Sequence, residues 1–157
     1  AIVASIIELV RRAYSPKDFV VSVDDAGVSA YTPAEPGSES LQGLLVFRFD
    51  AELFYANASL FVDQIQGLMD GAPNPVRWLV LDCSAIDDVD YSAGLNLAGL
   101  IKAVHAQDRV FALAAADPAL LATLTTYGTL DDFDNSHIYP SVADAIAAFR
   151  SAAAASA

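Results

Sequence analysis

The stretch VRWLVLDCSAIDDVDYSAGL, Val76–Leu95, decides how this chain folds. Val76–Cys83 is almost continuously apolar, the pattern of a strand covered on both faces. Three carboxylates follow within four positions, Asp87, Asp88 and Asp90. Apolar residues then return at helical spacing, which predicts a helix over about Tyr91–His105. A buried strand that passes through an acidic turn straight into a helix is half of a strand–helix–strand unit.

The same alternation continues on both sides. Downstream, Arg109–Ala116 reads as a second buried strand. Asp117-Pro118 supplies an N-cap with Pro at the first helical position, opening a helix to about Tyr127 that Gly128 stops. Ser136–Tyr139 is a short strand, and Ser141 with Asp144 has the spacing of a cap for a last helix. Upstream, Gly43–Asp50 is a strand, and Asn57 is placed to cap a helix through Met69. The buried face of that helix is predicted as Leu60, Phe61, Ile65, Leu68 and Met69. Gly71-Ala72-Pro73-Asn74-Pro75 ends it. Asp18–Asp24 is a strand with a turn at Asp25-Ala26-Gly27, and the Pro-, Gly- and Ser-containing run 32–42 reads as a flexible loop. Together these predict an α/β fold, a mixed and largely parallel sheet with about four core helices and right-handed crossovers. The first two strands, with no helix between them, predict one antiparallel edge pair. Domain boundaries fall at 1–17 (a linker helix), 18–150 (one domain) and 151–157 (a frayed tail).

Composition narrows the function. The chain has 157 residues, 8 Lys+Arg against 20 Asp+Glu and a formal net charge of −12. Such a deficit of basic residues speaks against nucleic acid as a partner. Mean hydropathy is +0.41, yet the longest uncharged run, Pro118–Leu130, holds Pro, Thr and Gly and falls short of the roughly 20 apolar residues a spanning helix needs. A single cysteine, Cys83, excludes an intrachain disulfide and a multi-cysteine zinc site, and His105 and His137 have no partners at metal-ligand spacing. Trp78 and Phe111 read as core. Phe54 and Tyr55 are either buried staple residues or exposed contacts for a partner.

The first fifteen residues carry Ile2, Val3, Ile6, Ile7, Leu9, Val10 and Tyr14 at helical spacing, ending near Ser15-Pro16. Two readings stand. The helix packs on its own domain, or it is the tail of a preceding membrane helix with Arg11 and Arg12 at the cytoplasmic edge. The start at Ala1, without an initiator Met, favours a piece of something larger.

Chemistry is expected where the acidic turn enters its helix. Asp90 is placed to cap, and Ser92 falls in the first turn, where a phosphoryl group would meet free N–H groups and the positive end of the helix dipole. Asp87, Asp88 and Asp90 would repel that second anion, so a phosphoserine there would change the surface more than it stabilised the fold. The plainer reading is a capping Asp90, an exposed Ser92 and solvated acids. An enzyme needs a nucleophile with a base, and no histidine lies near Ser92 in sequence. A phospho-acceptor receiver, with Asp24, Asp25 and Asp82 as an acidic pocket, wants a late lysine; the lysines are Lys17 and Lys102.

GLLVFRFDAELFYANASLF (Gly43–Phe61), WLVLDCSAIDDVDYSAGL (Trp78–Leu95) and IYPSVADAIAAF (Ile138–Phe149) resemble the STAS domain shared by anti-sigma-factor antagonists and the cytoplasmic C-terminal ends of SulP-type sulphate transporters. The Arg-Phe-Asp before an aromatic and Ala-Asn is similar to the transporter branch. The resemblance implies a non-catalytic regulatory domain at the cytoplasmic face of the cell membrane, joined to a transmembrane domain of the same polypeptide. Further partners would be other STAS domains or regulatory proteins. In antagonists the loop reads Asp-Ser-Ser-Gly with its second serine phosphorylated. Here Asp90, Tyr91, Ser92 and Ala93 align, so Ser92 is the candidate phosphosite and Asp87, Asp88, Asp90 and Tyr91 the interaction loop, while the glycine arrives one place later as Gly94. A freestanding antagonist is the alternative. Some STAS domains bind nucleotides, which makes GTP, GDP or ATP a weak candidate ligand. Without a G-x-x-x-x-G-K-[ST] loop, the site would use Arg48, Asn57, Arg77 and Ser92.

Overall fold

The computed structural model describes residues 2–14, 17–24 and 29–156, with backbone alone at 9 and 11–14. The predicted helix end at Ser15-Pro16, the turn at Asp25-Ala26-Gly27 and the side chains of Arg11 and Arg12 lie outside the described residues. Helix α1 (Ile2–Tyr14) precedes β1 (Asp18–Val23), β2 (Ser29–Pro33) and β3 (Leu44–Phe49). Helices and strands then alternate as α2 (Ala58–Gly71), β4 (Trp78–Asp82), α3 (Tyr91–His105), β5 (Val110–Ala114), α4 (Pro118–Thr126), β6 (Ile138–Tyr139) and α5 (Val142–Ala155).

The strands make one six-stranded sheet in the order β2-β1-β3-β4-β5-β6. β3 to β6 run parallel, and β1 is antiparallel to both neighbours. This is the mixed, largely parallel α/β architecture that the alternation of elements predicts. The edge pair differs from the expectation. β2 has no counterpart in the pattern reading because all five of its residues are exposed and it carries no buried alternation. It takes the edge, so β1 is internal.

Alternate residues of each buried strand feed two separate cores. Leu45, Phe47, Phe49, Leu79, Leu81, Phe111 and Leu113 face α2, α3 and α4, whereas Leu44, Val46, Val80, Ala112 and Ala114 face α5. Burial on both sides is why β4 and β5 read as unbroken apolar runs. On the larger face Phe61 of α2 meets Phe47 and Phe49 edge to face, with ring centroids 5.9 and 5.2 Å away. Trp78 lies on the other face, against Phe149 of α5.

Three local expectations change. Leu60 is exposed and Ala58 takes its place on the buried face of α2. The 32–42 run begins inside β2 and is then tied down: the Ser40 hydroxyl accepts from the Val46 N–H, and the Glu39 carboxylate accepts from the Gly43 N–H and the Asn74 amide. Its turn-forming residues satisfy one another's polar groups instead of leaving them to solvent. At the other end, Ser151–Ala155 continue α5, as an alanine run with high helix propensity should. In α1, Ile2, Val3, Ile6, Ile7 and Val10 are all exposed. No helix among the described residues is long and apolar enough to cross a membrane.

Candidate interaction site

Helices α2 and α3 begin at the same rim, just beyond the C-terminal ends of β3 and β4. The loops that launch them are stitched together. Leu53 and Val89 pair across as a parallel bridge, in which the Leu53 N–H donates to Asp88 O and the Asp90 N–H to Leu53 O, each at 3.1 Å. Ile86 and Val89 point into the core at 3% and 2% exposure, which forces the intervening Asp87 and Asp88 out to solvent. The acidic turn is therefore a fixed ridge anchored by two apolar pegs.

Asp90 completes the stitching. Its Oδ1 accepts from the Ala93 N–H at 2.8 Å, the cap the spacing predicts, and its Oδ2 accepts from the Tyr55 N–H at 2.8 Å. Ala93, where the antagonist pattern has glycine, is fully buried at 0%. Gly94 is pressed against the next layer. A Cβ there would lie 2.9 Å from Thr129 Oγ1, and the Thr129 hydroxyl donates to Gly94 O at 3.1 Å.

What the rim offers outward is one side of α3's first turns. Ser92 is exposed, with Tyr91 at 57% and Leu95 at 50%. The Tyr91 ring stands edge to face with Tyr127, centroids 5.5 Å apart. Tyr55, 72% exposed, belongs to the same rim through its bond to Asp90, while Phe54 is half-buried beside it. Sequence reasoning missed Leu95 and Tyr127. The signal for Leu95 was available: it is four residues from Tyr91 and off the buried stripe Leu97, Leu100, Ile101 and Val104.

The four residues assigned to a nucleotide do not converge. Asn57 is fully buried, and it does not cap α2. Its Oδ1 accepts from the Phe54 N–H and its Nδ2 donates to Glu52 O, so it braces the loop instead. Arg48 projects from the sheet face opposite Ser92. It donates to Ser84 Oγ at 2.9 Å, pairs with Asp50 at 3.3 Å, lies 3.7 Å from Asp82 and rests over the Tyr31 ring. Arg77 precedes β4 at the opposite rim and stacks on Phe149. Only Ser92 remains open on the α3 surface.

Asp82 is fully buried at 0%, taking the Tyr31 hydroxyl and the Ser84 N–H. It ties edge strand β2 to the centre of the sheet, which is no acidic metal pocket. Among the described residues, no three His, Cys, Asp or Glu gather as metal ligands. Burial pushes the Cys83 thiol far up, with Asp82 adding to the shift, so it stays protonated and unreactive. The His137 ring leans on Trp78 and contacts the Tyr139 hydroxyl.

Comparison with known proteins places this geometry. The probable sulfate transporter of Mycobacterium tuberculosis is 32% identical over 152 residues, 96% of this chain and 27% of that protein. The chain thus spans about a quarter of the length of such relatives. The structure of the murine Solute Carrier 26 family member A9 anion transporter superposes with a TM-score of 0.77 at 19% identity, over 94% of this chain and 24% of that one. A proposed anti-sigma-factor antagonist from Thermotoga maritima gives a TM-score of 0.58 at 19% identity, over 70% of this chain and 90% of its own. These two likenesses establish the fold alone. The family model described as STAS domain matches residues 35–145, from the loop before β3 into α5 and across the whole stitched rim, and the chain belongs to the STAS domain family.

Proposed function

We propose that this chain is the non-catalytic regulatory end of a SulP-type sulphate or anion transporter, at the cytoplasmic face of the membrane. It would act by presenting the α3 rim to a protein partner. The observation that carries the reading is the rim itself: an anchored ridge with exposed Tyr55, Tyr91 and Leu95 beside an open Ser92. The similarity to a mycobacterial sulfate transporter across 96% of this chain supports the transporter setting. The bare apolar side chains of α1 suit a linker leading from a transmembrane domain of the same polypeptide. GTP, GDP and ATP are left out of the proposal, because Arg48, Asn57 and Arg77 are engaged elsewhere.

Ser92→Asp tests the rim. The side chain is exposed, so unfolding free energy should stay within about 0.5 kcal/mol of wild type, while binding to the transmembrane portion changes in a pull-down or calorimetric assay. Unchanged binding, in Ser92→Asp and in Tyr91→Ala with Leu95→Ala, would remove the rim from the contact. Modification of Ser92 by an anti-sigma kinase would instead support the freestanding antagonist, whose fold this chain shares.

A further inference from the structure

Exposed apolar surface gathers at one end of the sheet. Among the described residues outside α1, the large hydrophobic side chains open to solvent are Tyr31, Tyr55, Leu60, Tyr91 and Leu95. Leu60 and Leu95 lie near the starts of α2 and α3, Tyr91 opens α3 and Tyr55 lies just ahead of α2. The Tyr31 hydroxyl reaches Asp82, the last residue of β4. All five therefore sit toward the C-terminal ends of β3 and β4. The far end, where Arg77 and Asp108 meet the last turns of α5, shows none among the described residues.

The chain enters the sheet at this same end. β1 runs antiparallel to β3 with Asp18 opposite Phe49, so β1 begins where β3 stops. The Asp50 N–H donates to Lys17 O at 3.2 Å, just ahead of the bridge between Leu53 and Val89. Whatever precedes β1 is thus delivered to the rim. Asp50, Glu52, Asp87 and Asp88 are exposed around the patch, and Arg48 is already paired with Asp50 and Asp82. Lys17 is the exposed basic group here.

We propose that this end of the domain faces the membrane, and that Tyr55, Leu60, Tyr91 and Leu95 are covered by a basic cytoplasmic loop of the transmembrane portion upstream of α1. This orientation rests on the transporter reading and gives the rim an occupant of stated chemistry. A loop tethered through α1 reaches the rim without crossing the domain, and tethering raises its effective concentration there. Cytoplasmic loops carry an excess of Lys and Arg, and Arg11-Arg12 stand in the last turn of α1. Four exposed carboxylates suit such a loop and repel anionic lipid. Apolar side chains rimmed by polar ones mark a protein contact.

The test compares the isolated chain with the full-length polypeptide in inside-out membrane vesicles. Single cysteines are placed at the rim (Tyr55→Cys, Tyr91→Cys, Leu95→Cys) and at exposed far-end positions (Gln107→Cys, Ala154→Cys). Native Cys83 is buried and does not compete. Reaction with a membrane-impermeant maleimide, mapped by peptide mass, is followed in both forms. In the full-length protein the rim cysteines should react about tenfold more slowly, the factor for a face docked about nine-tenths of the time, while the far-end cysteines keep their rates. Asp87→Asn with Asp88→Asn should restore most of the lost reactivity at Tyr91→Cys. Protection at the far end, or none at the rim, overturns the orientation and leaves the transporter reading standing. Protection indifferent to the Asp87→Asn, Asp88→Asn pair overturns the basic occupant. A full-length polypeptide that does not fractionate with membranes removes the transporter reading, and this orientation with it.

Discussion

The two oxygens of Asp90 have different partners, the Ala93 N–H and the Tyr55 N–H, and that division separates this residue from an ordinary helix cap. Asp90→Ala should therefore cost about 1–2 kcal/mol in urea unfolding, toward the upper end of capping losses because a second loop is released as well. Asn in its place recovers part, since its amide nitrogen faces a donor on one side. Asp18 predicts a pH effect of defined sign. Burial raises its folded carboxyl to about 6 against an ordinary 3.8, so between those values the folded state holds more protons than the unfolded one and stability falls as pH rises. Asp18→Asn should gain stability over wild type at pH 7.5, keep about half of that advantage at pH 5 and lose most of it by pH 4, read from chemical denaturation at the three values. Sequence made the Asp90 cap visible because capping is local. It left Asp18 and Gln64 unremarked because a contact between a strand and a distant helix has no sequence period.

Element boundaries were legible wherever one periodicity dominated. α3 runs over Tyr91–His105 as its apolar spacing and cap predict, and α4 and α5 carry the capping contacts from Asp117 and Ser141 that their first residues announce. β2 was not legible, since a fully exposed edge strand lacks the alternation that burial imposes. Asn57 misled for a related reason: a residue type that suits a cap also suits a buried brace, and only the fold decides between them. The contact between α3 and the segment after α4 is equally non-local. It rests on Gly94 having no side chain, with Thr129 Oγ1 2.9 Å and Tyr127 Cδ2 3.0 Å from where a Cβ would go. Gly94→Ala should destabilise the domain by about 1–3 kcal/mol through overpacking, despite the higher helix propensity of alanine. The same change at Gly99, where nothing approaches within 4 Å, should be neutral or favourable. Paired thermal melts of the two variants check the contrast.

Across the whole molecule, the two exposed regions differ in kind. The α3 rim is mixed, aromatic and acidic on a rigid support. The described apolar residues of α1 are bare, with Ile6 and Ile7 at 55% and 54% exposure. Ile6→Glu with Ile7→Glu should leave the unfolding midpoint nearly unchanged, because these side chains contribute little burial; sedimentation and denaturation together check this. A substantial loss would mean that the helix packs on its own domain after all. The sheet has a further consequence at its margins. Its outer strands are β6, only two residues long, and β2, which ends in Pro33. A foreign strand seeking a template finds too short a ladder on one side and a missing amide donor on the other. Copies crowded together are thus discouraged from zipping into fibrils, and encounters are left to helical surfaces and loops.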